Sequence, residues 1–149
     1  MATIVKPPVK IKSIFLAGSI EMGTAENWQH KIEEALKDLE VTIYNPRRDD
    51  WDSGWIQSKH NKNFREQVEW ELENLEKADY IVMYFDENTK SPISMLELGL
   101  FAKSKKLILY CPDKFWRKGN IDVVCDKYKI YTVNSLDDLI LAVKEKIKK

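Results

Sequence analysis

Four short runs rich in β-branched and aromatic residues alternate along the chain with helical patterns: Ser13 to Ala17, Val41 to Tyr44, Tyr80 to Phe85 and Leu107 to Tyr110. A weaker fifth run is Lys129 to Val133. Three of the first four are nearly continuous in apolar residues, the pattern of parallel strands covered on both faces. Between them, Trp28, Ile32, Ala35, Leu36 and Leu39 form one helical stripe. Phe64, Val68, Leu72 and Leu75 form a second, and Leu136, Leu139, Ile140, Val143 and Ile147 a last one. The order βαβαβαβ(α)βα predicts an α/β fold, a doubly wound sheet of about five parallel strands flanked by helices. Ligands of such folds bind at the carboxyl ends of the strands, where the strand order reverses. Two connections exceed ordinary turns, Pro46 to His60 and Cys111 to Lys127, and the second has room for a short helix.

A chain of 149 residues fits one domain, here 1–149, and buries roughly 70% of the surface that its unfolded form exposes. With 24 basic and 24 acidic residues the formal charge is zero, so nothing favours a nucleic acid polymer or an anionic membrane as partner. Cys111 and Cys125 fit neither a zinc spacing nor a CxxC redox motif and read as reduced thiols. The N-terminal MATIVKPPVKIK lacks the apolar core of a signal peptide, and no stretch approaches the roughly 18 apolar residues of a membrane span. These features lead us to expect a cytoplasmic, soluble protein.

Against this background one carboxylate stands out. Glu97 lies inside an otherwise uncharged run, Ser91 to Ala102, that reads as a helix opened by Ser91 and Pro92. Its helical neighbours Ile93, Leu100 and Phe101 are apolar. Burial there raises a carboxyl pKa and suits the group to chemistry, although a buried Glu can also cap backbone or pair with a loop Arg. Gly99, just after it, allows a ligand or another backbone to approach the helix. A second acid, Glu71, lies three residues after Val68 and four before Leu75, at the border of the buried face of its helix. Taken alone, Glu71 is as readily structural, as the edge of an amphipathic helix or a partner for Arg47 or Arg48, as it is functional. Paired with Glu97, it matches retaining glycosyl transfer, in which one carboxylate attacks the anomeric carbon and the other manages the leaving group's proton across about 5 Å.

The loop after the first run, AGSIEMGT, has P-loop glycine spacing but no lysine, so it fails as a Walker A motif. Gly18 and Ser19 can present backbone N–H groups and a hydroxyl to a sugar, or simply form a tight turn. Trp51, Trp55, Trp70, Phe115 and Trp116 are large aromatics in loops or at helix edges. They can stack on a base, at about 1 to 3 kcal/mol each, or pack on Arg47, Arg48 or Arg117. His30 and His60 read as surface residues, and Asp49, Asp50 and Asp52 do not follow the calcium-loop pattern, so no metal is expected.

Together, FLAGSIEMG (15 to 23), YNPRRDDWDSGW (44 to 55), FREQVEWELENLEKADYIVMYF (64 to 85), TKSPISMLELGLFA (89 to 102) and FWRKGN (115 to 120) resemble the nucleoside 2-deoxyribosyltransferase superfamily. The likeness includes its relatives, the deoxynucleoside monophosphate N-glycosidases, and runs over almost the whole chain. It implies a flavodoxin-like fold and a nucleophilic Glu before Leu-Gly, here Glu97, that forms a covalent glycosyl-enzyme. Glu71 falls where the family carries a helix-borne acid, usually Asp. Ser91 matches a substrate-contacting position, and Asn120 falls near the place where a neighbouring subunit completes the pocket. Arg47 and Trp51 join Gly18 and Ser19 as candidate substrate contacts. Phe15 replaces a frequent Tyr, and Glu21 replaces the phosphate-binding Arg of the monophosphate hydrolases, which favours an unphosphorylated nucleoside. The expected partners are a nucleoside or nucleotide, a free base and a second copy of the chain, and no cofactor is required. Transfer to another base is the expected reaction, with hydrolysis or non-catalytic nucleotide binding as alternatives.

Overall fold

Alternate residues of each central strand face opposite sides, and both sides are apolar. Phe15, Ala17, Ile81, Met83, Leu107 and Leu109 point into one core, while Ile14, Leu16, Val82 and Ile108 point into another. A sheet with two apolar faces needs helices on both. The computed structural model, which describes residues 1–6, 10–20, 27–47 and 57–149, places them there. The elements run β1 (Lys12–Gly18), α1 (Trp28–Leu36), β2 (Val41–Tyr44), α2 (Lys62–Lys77), β3 (Tyr80–Tyr84), α3 (Pro92–Phe101), β4 (Leu107–Tyr110), α4 (Lys118–Tyr128), β5 (Tyr131–Val133) and α5 (Leu136–Lys148). All strand pairs are parallel and the order is β2-β1-β3-β4-β5, a flavodoxin-like α/β topology. Helices α2, α3 and α4 supply the first core through Leu75, Leu98, Ile121 and Cys125. Helices α1 and α5 supply the second through Trp28, Ile32, Leu139 and Val143.

Polar side chains open several helices. Asn61 Oδ1 accepts from Phe64 N (3.1 Å) at the start of α2, and Ser135 Oγ accepts from Asp138 N (3.0 Å) at the start of α5. The fifth strand begins two residues later than its sequence run suggests. Lys129, in the left-handed region (φ 56°), ends α4, and Ile130 N–H returns to Cys125 O (3.0 Å). The expected α2 stripe also needs one correction. Leu72 is 39% exposed, because the inward arc of α2 runs through Gln67, Glu71, Asn74, Leu75 and Ala78 instead.

Candidate active site

β1 and β3 are neighbours whose outgoing connections leave for opposite faces, β1 towards α1 and β3 towards α3. The crevice at their carboxyl ends is therefore the topological switch point of the sheet. Its floor is tight. Gly18 (φ 151°) has no room for a side chain, since a Cβ would lie 2.3 Å from Tyr84 O and 2.7 Å from Trp28 Cζ2. This close approach lets Ser19 N–H donate to Tyr84 O (2.9 Å) and turns the Ser19 side chain inward, fully buried.

Three hydroxyls meet there. Ser19 Oγ lies 2.6 Å from Ser91 Oγ and 3.0 Å from Thr89 Oγ1, and the last two are 2.7 Å apart. Asp86 N–H donates to Ser19 Oγ (2.8 Å) and Thr89 donates to Asp86 O (2.9 Å). The cluster ties the end of β1 to Ser91, the residue just before α3. Ser91 holds a left-handed conformation (φ 46°, ψ 53°) that costs an L-residue about 1–2 kcal/mol, and its hydroxyl is turned to this cluster instead of capping the helix.

Six residues after Ser91, within α3, Glu97 is 7% exposed. Burial, and secondarily the charge of Glu71, push its carboxyl up to about 8. Glu71, on α2, is also raised by burial, with a hydrogen bond from Gln67 acting against the shift. The two acids thus share one electrostatic site although they come from different helices. Among the described residues no cation appears among the causes of either shift. The apolar neighbours expected to cover Glu97 do less than their character suggested: Ile93 and Leu100 are mostly exposed, and the carboxylate is buried on their inner flank.

Around the acids runs a chain of polar contacts. Trp28 Nε1 donates to Ser19 O (2.9 Å), as does Gln29 Nε2 at 3.4 Å. Gln29 Oε1 accepts from Arg47 Nη1 (3.1 Å), and Gln67 Nε2 donates both to Pro46 O (3.4 Å) and to Glu71 Oε1 (3.3 Å). Among the described residues the side chains of Arg47 and Glu71 bond to Gln29 and Gln67 and not to each other. Ser19 and Ser91 share the hydroxyl cluster beside Gly18, Gln29 links Ser19 to Arg47, and the charge of Glu71 reaches Glu97. Asn120 is exposed in the first turn of α4, and Trp51, with Arg48, Trp55, Glu21 and the aspartates at 49, 50 and 52, lies outside the described residues. Phe115 is core, 5.0 Å from the Phe85 ring. Trp116 is held by Lys90 O (2.9 Å), with Lys90 and Arg117 cations 4.6 and 4.5 Å from its ring. No group of three or more His, Cys, Asp or Glu among the described residues is arranged to hold a metal ion.

The sequence reading missed Gln29, Gln67 and Thr89. Only Gln67 had a usable signal, since it lies four residues before Glu71 on one helix.

The family described as nucleoside 2-deoxyribosyltransferase like matches residues 11–115, a span from β1 to Phe115 that contains both acids. The chain belongs to that family. Two solved structures share the fold of this family member. A conserved protein from Enterococcus faecalis V583 is 15% identical with a TM-score of 0.65, covering 92% of this chain and 99% of its own. The 2-deoxyribosyltransferase from Bacillus psychrosaccharolyticus is 20% identical with a TM-score of 0.60, covering 86% and 90%. No curated protein matches the chain.

Proposed function

We propose that the chain transfers glycosyl groups on nitrogen, cleaving the N-glycosidic bond of a (deoxy)nucleoside and passing the deoxyribosyl group to another base. The observation that carries this reading is the buried acid pair, Glu97 raised by burial and by the charge of Glu71, at the switch point of a family member. In the first half-reaction a Glu97 carboxylate oxygen bonds to C1′ as the C1′–N bond breaks. The departing base takes its proton from Glu71. In the second half, the nitrogen of an acceptor base bonds to C1′, its proton goes to Glu71, and the Glu97 ester bond breaks to return the carboxylate. In this reading the buried Ser19–Ser91 hydroxyl cluster and the Gly18 turn support the sugar site from behind, with Arg47 at its rim. Water in place of the acceptor base gives hydrolysis by the same steps.

Glu97→Gln is expected to abolish base release and base exchange while keeping the fold; near wild-type turnover would end the assignment. Incubation with a 2-fluoro-2-deoxynucleoside should leave an adduct on Glu97, detectable by mass spectrometry. Omitting the acceptor base separates transfer from hydrolysis, and panels of ribo-, deoxyribo- and 5′-phosphorylated substrates set the sugar preference. Tight nucleotide binding without turnover would favour a sensor.

The same reading has the chain working in cytoplasmic nucleoside salvage as a homo-oligomer. Support for self-association comes from the outward face of α3, where Ile93, Leu96 and Leu100 are 57 to 60% exposed with no charge among them. Gly99 lies on that face with open space where a Cβ would sit, and a formal charge of zero leaves little repulsion between copies. Leu96→Asp should yield monomers by sedimentation; an unchanged sedimentation coefficient would remove this support.

A further inference from the structure

Glu71 has one hydrogen-bonding neighbour that the chemistry above does not use. Gln67 lies one turn earlier on α2, and its amide nitrogen is placed between two acceptors, Glu71 Oε1 at 3.3 Å and the Pro46 carbonyl at 3.4 Å. The two N–H bonds of a side-chain amide match two acceptors, so the group is anchored by the chain after β2 while it engages the acid. A glutamate side chain otherwise has three rotatable bonds and a freedom worth up to about 1.5–2 kcal/mol. Occupying Oε1 leaves Oε2 as the oxygen that can carry a transferable proton. The other groups facing Glu71 act differently. Glu97, on α3, repels its ionised form, and Arg47, which follows Pro46 in the chain, has its guanidinium engaged with Gln29.

We propose that Gln67 is a positioning residue for proton transfer: it fixes Glu71 by Oε1 so that Oε2 faces the departing base. This rests on the glycosyl-transfer reading and adds a residue to it. It acts through Glu71 and touches no substrate. A merely structural Gln67 would tether α2 to Pro46 and nothing more.

The two roles separate by leaving group. A base that departs poorly needs a well-placed acid, whereas an activated base of low basicity departs without one. Gln67→Met keeps the length and removes the donor. It should lower kcat about 10- to 100-fold for a nucleoside with a poor leaving base and less than about threefold for one with an activated base, with KM nearly constant for both. Equal losses with both bases, or no loss with either, would overturn the proposal. Carboxyl NMR of Glu71 supplies a readout independent of turnover. Its midpoint should rise in Gln67→Met, because the amide bond favours the ionised form, and an unmoved midpoint also overturns the proposal. If the unmodified chain releases no base from any nucleoside, the glycosyl-transfer reading fails, while the NMR titration still decides whether Gln67 governs Glu71.

Discussion

Replacing Glu97 by Gln should strengthen the fold at alkaline pH and leave it nearly unchanged in acid. A carboxyl whose proton affinity is higher in the folded chain than in the unfolded one contributes its full stabilisation below its unfolded pKa. That contribution disappears as pH rises through the folded value. For Glu97 these limits are 4.5 and about 8. At about 1.4 kcal/mol per tenfold change in proton affinity, the interval corresponds to on the order of 4–5 kcal/mol. Glutamine has the same shape and no charge. At pH 5 both side chains are neutral, and the two proteins should agree within about 1 kcal/mol. At pH 9 the wild type holds an ionised, buried carboxylate opposite Glu71, and the variant does not. The variant's advantage of several kcal/mol should appear as a melting temperature about 10–15 °C higher. Other pH-dependent groups, such as Asp79, whose pKa is lowered in the fold, cancel in the comparison because both proteins carry them. Calorimetry or urea unfolding of both proteins at pH 5, 7 and 9 measures the difference. A constant gap across that range would show that Glu97 is neither desolvated nor coupled to Glu71, and the case for a reactive acid pair would fall with it.

Gly18→Ala forces a Cβ against Tyr84 O and Trp28, and should cost roughly 2–5 kcal/mol, read as a melting temperature lower by about 5–15 °C; an unshifted transition would contradict the close packing of β1 on β3. Thr89→Val strips the hydroxyl from the Ser19–Ser91 cluster and should lose about 1–3 kcal/mol in urea unfolding, most of it restored in Thr89→Ser. Attack needs Glu97 ionised and Glu71 protonated, an arrangement with the same single proton as the resting pair, so kcat/KM for base release should hold a plateau up to about pH 8 and fall above it, and a rate still climbing beyond pH 8 would contradict the shared proton. Cys111 and Cys125 are buried, with thiols pushed by burial up to about 12 and about 11. A thiol reagent at pH 7.5 should therefore leave both untouched until urea is added, and rapid labelling of the native chain would contradict their place in the core.

The sheet was legible because its signal is local. β2 and β4 have the bounds that their runs of β-branched, aliphatic and aromatic residues suggested, since a preference carried by four successive residues needs no information from elsewhere. The two misplacements have local causes that a hydrophobic pattern does not encode. Lys129 reads as part of a strand until its left-handed backbone closes α4, and Leu72 reads as core until Leu75 and Ala78 set the inward arc of α2. Glu97 was legible for the opposite reason, as a charge that breaks an apolar pattern. The polar walls were not. Gln29 and Arg47 are 18 residues apart and Ser19 and Thr89 are 70 apart, and a glutamine or threonine bonded inside looks in sequence like one bonded to water. Gly99, read as a point of close approach, faces open space within its own fold.

The distribution of one proton over two acids links the energetics to the proposed chemistry. Between the titrations of Glu71 and Glu97 the pair holds a single proton, and the stronger burial of Glu97, together with the amide on Glu71, favours its residence on Glu97. Transfer to carbon needs the other arrangement, with Glu97 charged and Glu71 protonated. In the resting protein that tautomer is the minor one. A nucleoside changes the balance from both ends: positive charge developing at C1′ stabilises the Glu97 carboxylate, and negative charge developing on the leaving base draws the proton of Glu71 towards it. Both changes peak at the transition state, so the penalty for ionising Glu97 in the resting protein is offset where charge on carbon is greatest. A lone buried acid lacks a partner to hold the displaced proton. Two acids on adjacent helices, one of them held by Gln67, keep that proton within the site through both halves of the reaction.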